Sequence, residues 1–140
     1  FQRYMKSHQY KTRIRYAETD QMGVVYHGNY AVFFEIGRVE WLRSLGISYK
    51  WMEDNGIMLP VVSLTMNYKK PARYDDEITV TTFFESLSNV KIEFSYEILN
   101  DSNDLLTTGS SILVFVDKLT GRPTQPPSYI LEKLANFSES

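Results

Sequence analysis

Asp20 and His27 lie within the segment YAETDQMGVVYHGNY, just ahead of an apolar run that opens at Tyr30. The spacing of that run predicts a helix, and the first backbone N–H groups of any helix lack intrahelical acceptors. Those N–H groups and the helix dipole favour negative charge, so a carbonyl oxygen held there is stabilised as it becomes an oxyanion. Acyl hydrolysis needs such donors and a group that activates water or attacks the carbonyl, a role open to the Asp20 carboxylate. The plainer reading of Asp20 is a turn cap, as Asp often is. His27 reads either as a satisfied structural imidazole or as a ring N–H placed on a substrate carbonyl. Tyr26 suits a core aromatic or a pocket wall, and Glu18 a solvent-facing acid.

A second cluster, Lys69, Lys70 and Arg73 beside Pro71, follows a strand-like run and suits a phosphate-bearing tail. It equally suits a solvated rim. Other chemistries find no motif: there is no Gly-x-Ser-x-Gly elbow, glycine-rich phosphate loop or dinucleotide fingerprint. With no cysteine and only His8 and His27, disulfides, thiolate sites and His-rich metal sites are excluded. The 15 basic and 17 acidic residues are spread along the chain, which leaves no footprint for nucleic acid or an acidic membrane. No apolar run reaches the roughly 20 residues that span a bilayer. The expectation is a soluble, cytoplasmic protein.

Position-by-position patterning supplies the elements. The 140 residues suit one domain, expected over residues 9–137, with residues 1–8 a tail that is partly tag-derived. Residues 9–16 alternate with the period of a half-buried strand. From Tyr30 the spacing of Phe33, Phe34, Gly37, Trp41 and Leu45 predicts a helix of about four turns, capped by Asn29 and ended before Gly46. Ile36 and Val39 fall opposite Tyr30, so this helix is apolar on most of its circumference. Glu35 and Arg38 border the stripe at a spacing that allows a pair. A short helix is expected over residues 48–55. Strand-like runs then follow over 57–68, 77–85, 91–99 and 111–116, and a final amphipathic helix over 129–137, capped by Ser128. The order is α+β: one antiparallel five-stranded sheet that must curl around a single long helix.

The segment Y-x-E-T-D-Q-M-G-V-V-Y-H-G-N-Y followed by F-F-E-x-G-R-x-E-W-L-R resembles the hotdog-fold acyl-CoA thioesterases of the 4-hydroxybenzoyl-CoA thioesterase group. PARYDD at Pro71 to Asp76 and FVDKLTGRP at Phe115 to Pro123 extend the likeness over nearly the whole chain. The resemblance implies a curved antiparallel sheet around a central helix, as the patterning does. It implies hydrolysis of an acyl-CoA thioester with no cofactor, CoA being part of the substrate, and Asp20 as the catalytic base or nucleophile. It places the oxyanion site at the N–H groups of Tyr26 to Gly28, makes His27 the substrate-positioning imidazole, and lets Tyr30 line the acyl site. Ser63 and Thr65 would reach the site from a partner subunit, and Lys69, Lys70 and Arg73 would meet the CoA phosphates. An acyl carrier protein thioester is a further possible substrate. The family implies homodimers joined edge to edge, assembling into dimers of dimers, that is homotetramers. Two alternatives stay open: a hotdog dehydratase or hydratase acting on acyl thioesters, and a non-catalytic acyl-thioester binder.

Overall fold

The chain runs β1 (Ser7–Arg13), a 3₁₀ turn (Tyr16–Glu18), α1 (Asn29–Ser44), α2 (Tyr49–Asp54), β2 (Ile57–Met58), β3 (Val61–Tyr68), β4 (Glu77–Ser88), β5 (Lys91–Asn100), β6 (Leu105–Val114), β7 (Val116–Asp117) and α3 (Ser128–Ser138). This computed structural model describes residues 7–138, with side chains through residue 135. The five long strands form one antiparallel sheet in the order β1-β4-β5-β6-β3, and β2 pairs with β7 in a small ribbon. The architecture is the expected α+β arrangement. On β5 the period of two is carried through: Ile92, Phe94, Tyr96 and Ile98 are buried toward α1, while Lys91, Glu93, Ser95 and Glu97 alternate with them.

Several boundaries differ from the patterning. Ser7 and His8 belong to β1, and the rest of the expected tail lies outside the described residues. Strand β1 stops at Arg13, because the chain turns into the 3₁₀ segment, and Tyr16 is 79% exposed there. The run 57–68 is two strands: Pro60 lacks the N–H a ladder needs, and the chain changes partners from β7 to β6 across it. Strand β6 begins at Leu105, earlier than patterning gives, because Thr107, Gly109 and Ser111 face a packed helix without apolar bulk. Asn29 is the first helical residue and not a cap, its side chain donating to the Glu18 carbonyl at 2.8 Å. Ser48 does cap α2, accepting from the Trp51 N–H at 3.0 Å. Glu35 and Arg38 do not pair: Arg38 turns into the core and donates to the Tyr96 hydroxyl at 3.2 Å, while Glu35 is exposed.

Helix α1 lies directly on the sheet. A Cβ on Gly37 would strike Thr82 Oγ1 and come within 3.2 Å of Val80, both on β4. A Cβ on Gly109 of β6 would meet the Phe34 ring at 2.5 Å and the Thr65 carbonyl at 2.6 Å. Phe34 in turn stacks on Tyr96 of β5, with centroids 4.3 Å apart, and Trp41 packs on Phe84 and Phe94. Three adjoining strands therefore reach the helix at once, as a curled sheet requires. The opposite face of α1 is only partly covered by the described residues: Val32 is 47% exposed, and Ile36 and Val39 are half-buried. No helix among the described residues is long and apolar enough to cross a membrane.

Gly109→Ala forces a methyl between a helix ring and a strand carbonyl. Overpacking of this kind costs about 1–3 kcal/mol, so the urea midpoint should fall with the m-value unchanged. An unaltered midpoint would mean that α1 does not sit this tightly.

Candidate active site

The loop between the 3₁₀ turn and α1 is held by its own polar groups. The Glu18 carboxylate accepts the Arg15 N–H at 2.7 Å and its guanidinium at 3.0 Å, so Glu18 is an internal brace and not a solvent-facing acid. The Glu18 carbonyl accepts from Tyr26 N–H at 3.0 Å as well as from Asn29. Asp20 accepts the Met22 N–H through Oδ1 at 2.8 Å, and its carbonyl accepts the Gly23 N–H at 3.0 Å. The turn-capping reading of Asp20 is thus realised. Its carboxylate remains exposed and keeps Oδ2 available.

The same loop is stitched to the segment that carries the basic cluster. Val25 N–H donates to the Ala72 carbonyl at 2.8 Å, Tyr74 N–H to the Gly23 carbonyl at 3.3 Å, and Val24 bridges Arg73. The acid and Arg73 are therefore carried by one short antiparallel pairing. At the helix start, Asn29 and Tyr30 donate to the carbonyls of Tyr26 and His27. The Gly28 N–H has no acceptor among the described residues, and the Tyr26 ring lies over Gly28, 2.9 Å from where a Cβ would stand.

Beside this helix start is a cavity of about 210 Å³, lined by His27, Tyr30, Tyr68, Lys69 and Lys70 among others. His27 meets Tyr68 edge to face at 4.9 Å, and Tyr68 meets Tyr30 at 5.3 Å. The buried Tyr30 hydroxyl accepts the Ala72 N–H at 3.4 Å. Four of the residues singled out in the sequence, His27, Tyr30, Lys69 and Lys70, thus come together on one cavity. Asp20, Tyr26, Gly28 and Arg73 stand on the adjoining loops and do not line it. Lys70 also approaches Asp104 at 3.8 Å, with both side chains about half exposed or more, an ion pair worth little in water. Ser63 and Thr65 lie on the far face of the sheet, where Thr65 meets Ser110 at 2.6 Å, so within one chain they point away from α1. Leu64, Met66 and Tyr68 hold the helix side of that strand instead.

The model of the family described as "Thioesterase-like superfamily" matches residues 14–134. The chain belongs to the thioesterase-like superfamily. YneP of Bacillus subtilis strain 168 is 41% identical over 112 residues, which are 80% of this chain and 81% of that one. The acyl-CoA thioester hydrolase YbgC of Escherichia coli O157:H7 is 34% identical over 119 residues, 85% of this chain and 89% of YbgC. Among solved structures, the DHNA-CoA thioesterase of Staphylococcus aureus superposes with a TM-score of 0.87 at 39% identity, over 95% of this chain and 89% of that one. The hotdog architecture implied by the resemblance is the one these thioesterase-like proteins share.

Tyr68 is the site residue that patterning missed. It ends a strand in which Val62, Leu64, Met66 and Tyr68 alternate with Ser63, Thr65 and Asn67, and that alternation, with its place directly before Lys69-Lys70-Pro71, was the available signal.

Burial raises the hydroxyl pKa of Tyr30, and likewise of Tyr49 and Tyr96, where the Arg38 charge offsets part of the rise. Groups whose folded pKa lies above the unfolded one contribute fully below the unfolded value, near 10, and lose that contribution as pH climbs toward the folded one. Stability should therefore fall on going above about pH 10, by up to about 1.4 kcal/mol per pH unit for each such tyrosine. Tyr30→Phe should flatten this fall by one group's share in urea melts across the alkaline range. An identical slope would contradict it.

Proposed function

We propose that the chain hydrolyses acyl-CoA thioesters to the free carboxylic acid and CoA. The observation that carries this reading is an imidazole and a helix start with a free N–H beside an aromatic-walled cavity, with an exposed acid on the same loop, in a chain of the thioesterase-like superfamily. The names borne by YbgC and by the Staphylococcus aureus structure support the substrate class. Asp20 serves as general base or nucleophile. As base, it takes a proton from water while the water oxygen bonds to the thioester carbon; collapse of the tetrahedral oxyanion then breaks the C–S bond, and the protonated Asp20 returns its proton to the leaving sulfur, releasing CoA as its thiol. The Gly28 N–H receives the developing oxyanion, the expected Tyr26 donor being taken by the Glu18 carbonyl, and the positive end of the α1 dipole adds to the stabilisation. His27 orients the carbonyl, and Tyr26 closes over Gly28. No metal or redox cofactor enters this scheme. Lys69, Lys70 and Arg73 flank the cavity where CoA phosphates would need cations. An acyl carrier protein thioester is the second carrier to test, and the cytoplasm is the compartment we assign.

Assembly is part of the proposal. Strand β3 is an edge strand exposed at seven of its eight residues, with Val61, Val62, Leu64 and Tyr68 each at least 40% exposed, and such an edge is a template for another strand. A second copy pairing there extends the sheet and covers the bare face of α1, giving a homodimer, and dimers of dimers give the tetramer. Sedimentation velocity should show at least a dimer at micromolar concentration; a monomer alone would remove this part of the reading.

For Asp20→Asn, kcat should fall by about 10² to 10⁴. The amide keeps an Oδ1 acceptor for Met22, so the loop and the melting temperature should hold. Turnover near wild type would refute Asp20 as the reacting group. His27→Ala should lose less than Asp20→Asn, and a larger loss would reverse the two roles. A thiol-release screen over acyl chain lengths and aryl-CoAs, DHNA-CoA included, tests the activity itself, and no release above background would end it.

A further inference from the structure

We propose that Tyr68 is a positioning residue, holding the His27 imidazole at the cavity mouth through an edge-to-face ring contact. The proposal rests on the thioesterase reading above and adds a residue to it. His27 is exposed on the loop before α1, and no hydrogen bond among the described residues holds either ring nitrogen. Two ring contacts remain to orient it: Tyr68, with centroids 4.9 Å apart and planes at 86°, and Tyr26 at 6.3 Å and 79°. Both have the perpendicular geometry that aromatic quadrupoles favour, and Tyr68 is the nearer.

What separates the two is how each ring is anchored. Tyr26 is 58% exposed and adjoins His27 on the same loop. Tyr68 is on a strand, in register with Thr107, and the next N–H, that of Lys69, donates to the Leu106 carbonyl at 2.9 Å. Its ring packs against the buried Tyr30, and its hydroxyl donates to Met66 Sδ at 3.2 Å. A side chain anchored on a strand and against the buried Tyr30 thus meets an imidazole that no hydrogen bond among the described residues holds, and sites carried by strands keep their geometry better than sites carried by loops.

The test compares Tyr68→Ala, Tyr68→Leu and Tyr68→Phe in the full chain. Misplacement by about 1 Å can cost as much as 10²-fold, so Tyr68→Ala should lower kcat roughly tenfold or more, with a smaller change in KM. Tyr68→Leu fills the volume without a ring and should behave like Ala, whereas Tyr68→Phe should recover most of the loss. In parallel, the chain has only two histidines, so the His27 ring-proton resonances are readily assigned by comparison with His27→Ala. They should move in the Ala and Leu variants and stay close to the wild-type position in Phe. Leu matching Phe, unmoved His27 resonances in the Ala variant, or a change confined to KM would each overturn the proposal. Failure of wild type to cleave any acyl-CoA sinks the hydrolase reading instead; the His27 spectra would still decide whether Tyr68 sets the ring.

Discussion

The structure depends on how closely α1 sits on the sheet. At Gly37 and Gly109 there is no space for a methyl group: the helix backbone at Gly37 lies against the side chains of Thr82 and Val80, and the strand backbone at Gly109 lies against the Phe34 ring. That seat fixes the height of the helix over β4 and β6, and the Phe34–Tyr96 stack and the Trp41–Phe84–Phe94 cluster fix its rotation. Because the helix is rigid, its N-terminus is located by contacts two turns or more away. The Tyr30 hydroxyl over the Ala72 N–H then ties that end to the strand connection that carries Lys69, Lys70 and Arg73. The free N–H of Gly28 is thus held by the core, while Asp20 is held by a capped turn and the Val24–Arg73 bridge.

The same seating leaves one side of the helix bare. Arg38 resolves its position by turning inward, a guanidinium 5% exposed among the hydroxyls of Tyr96 and its neighbours, with no carboxylate bonded to it among the described residues. Removing a charge from water without an opposite charge is costly, and hydroxyl acceptors offset only part of that cost. Val32, Ile36 and Val39 have no such option, and they remain on the face that the described residues cover only in part.

Much of this was legible in the residues, and the losses have physical causes. The periods of α1 and β5 read directly because each buries one stripe against one partner. The start of β6 did not, because Thr107, Gly109 and Ser111 face α1 where bulk is excluded, so a buried strand carries a polar sequence. Pro60 splits a run whose hydrophobicity is continuous, since apolar composition reports burial and not the identity of the partner strand. Arg38 was misread through local spacing: a partner three residues away lost to a hydroxyl 58 residues away. At the site, the residues adjacent in sequence, His27 and Tyr30, were found, whereas Tyr68 reaches them only through the register of β3 with β6.

That route through β3 links the site to the edge of the sheet. Tyr68 is the last residue of the edge strand, which pairs on one side with β6 and on the other with no strand among the described residues. Edge strands fray more readily than central ones because half their backbone groups bond only to water. The ring nearest His27 is therefore mounted on an edge strand, while the Gly28 N–H stands at the start of a helix packed on three strands. Order at the cavity mouth consequently rises with whatever covers β3, and a strand added there would steady the imidazole without touching it.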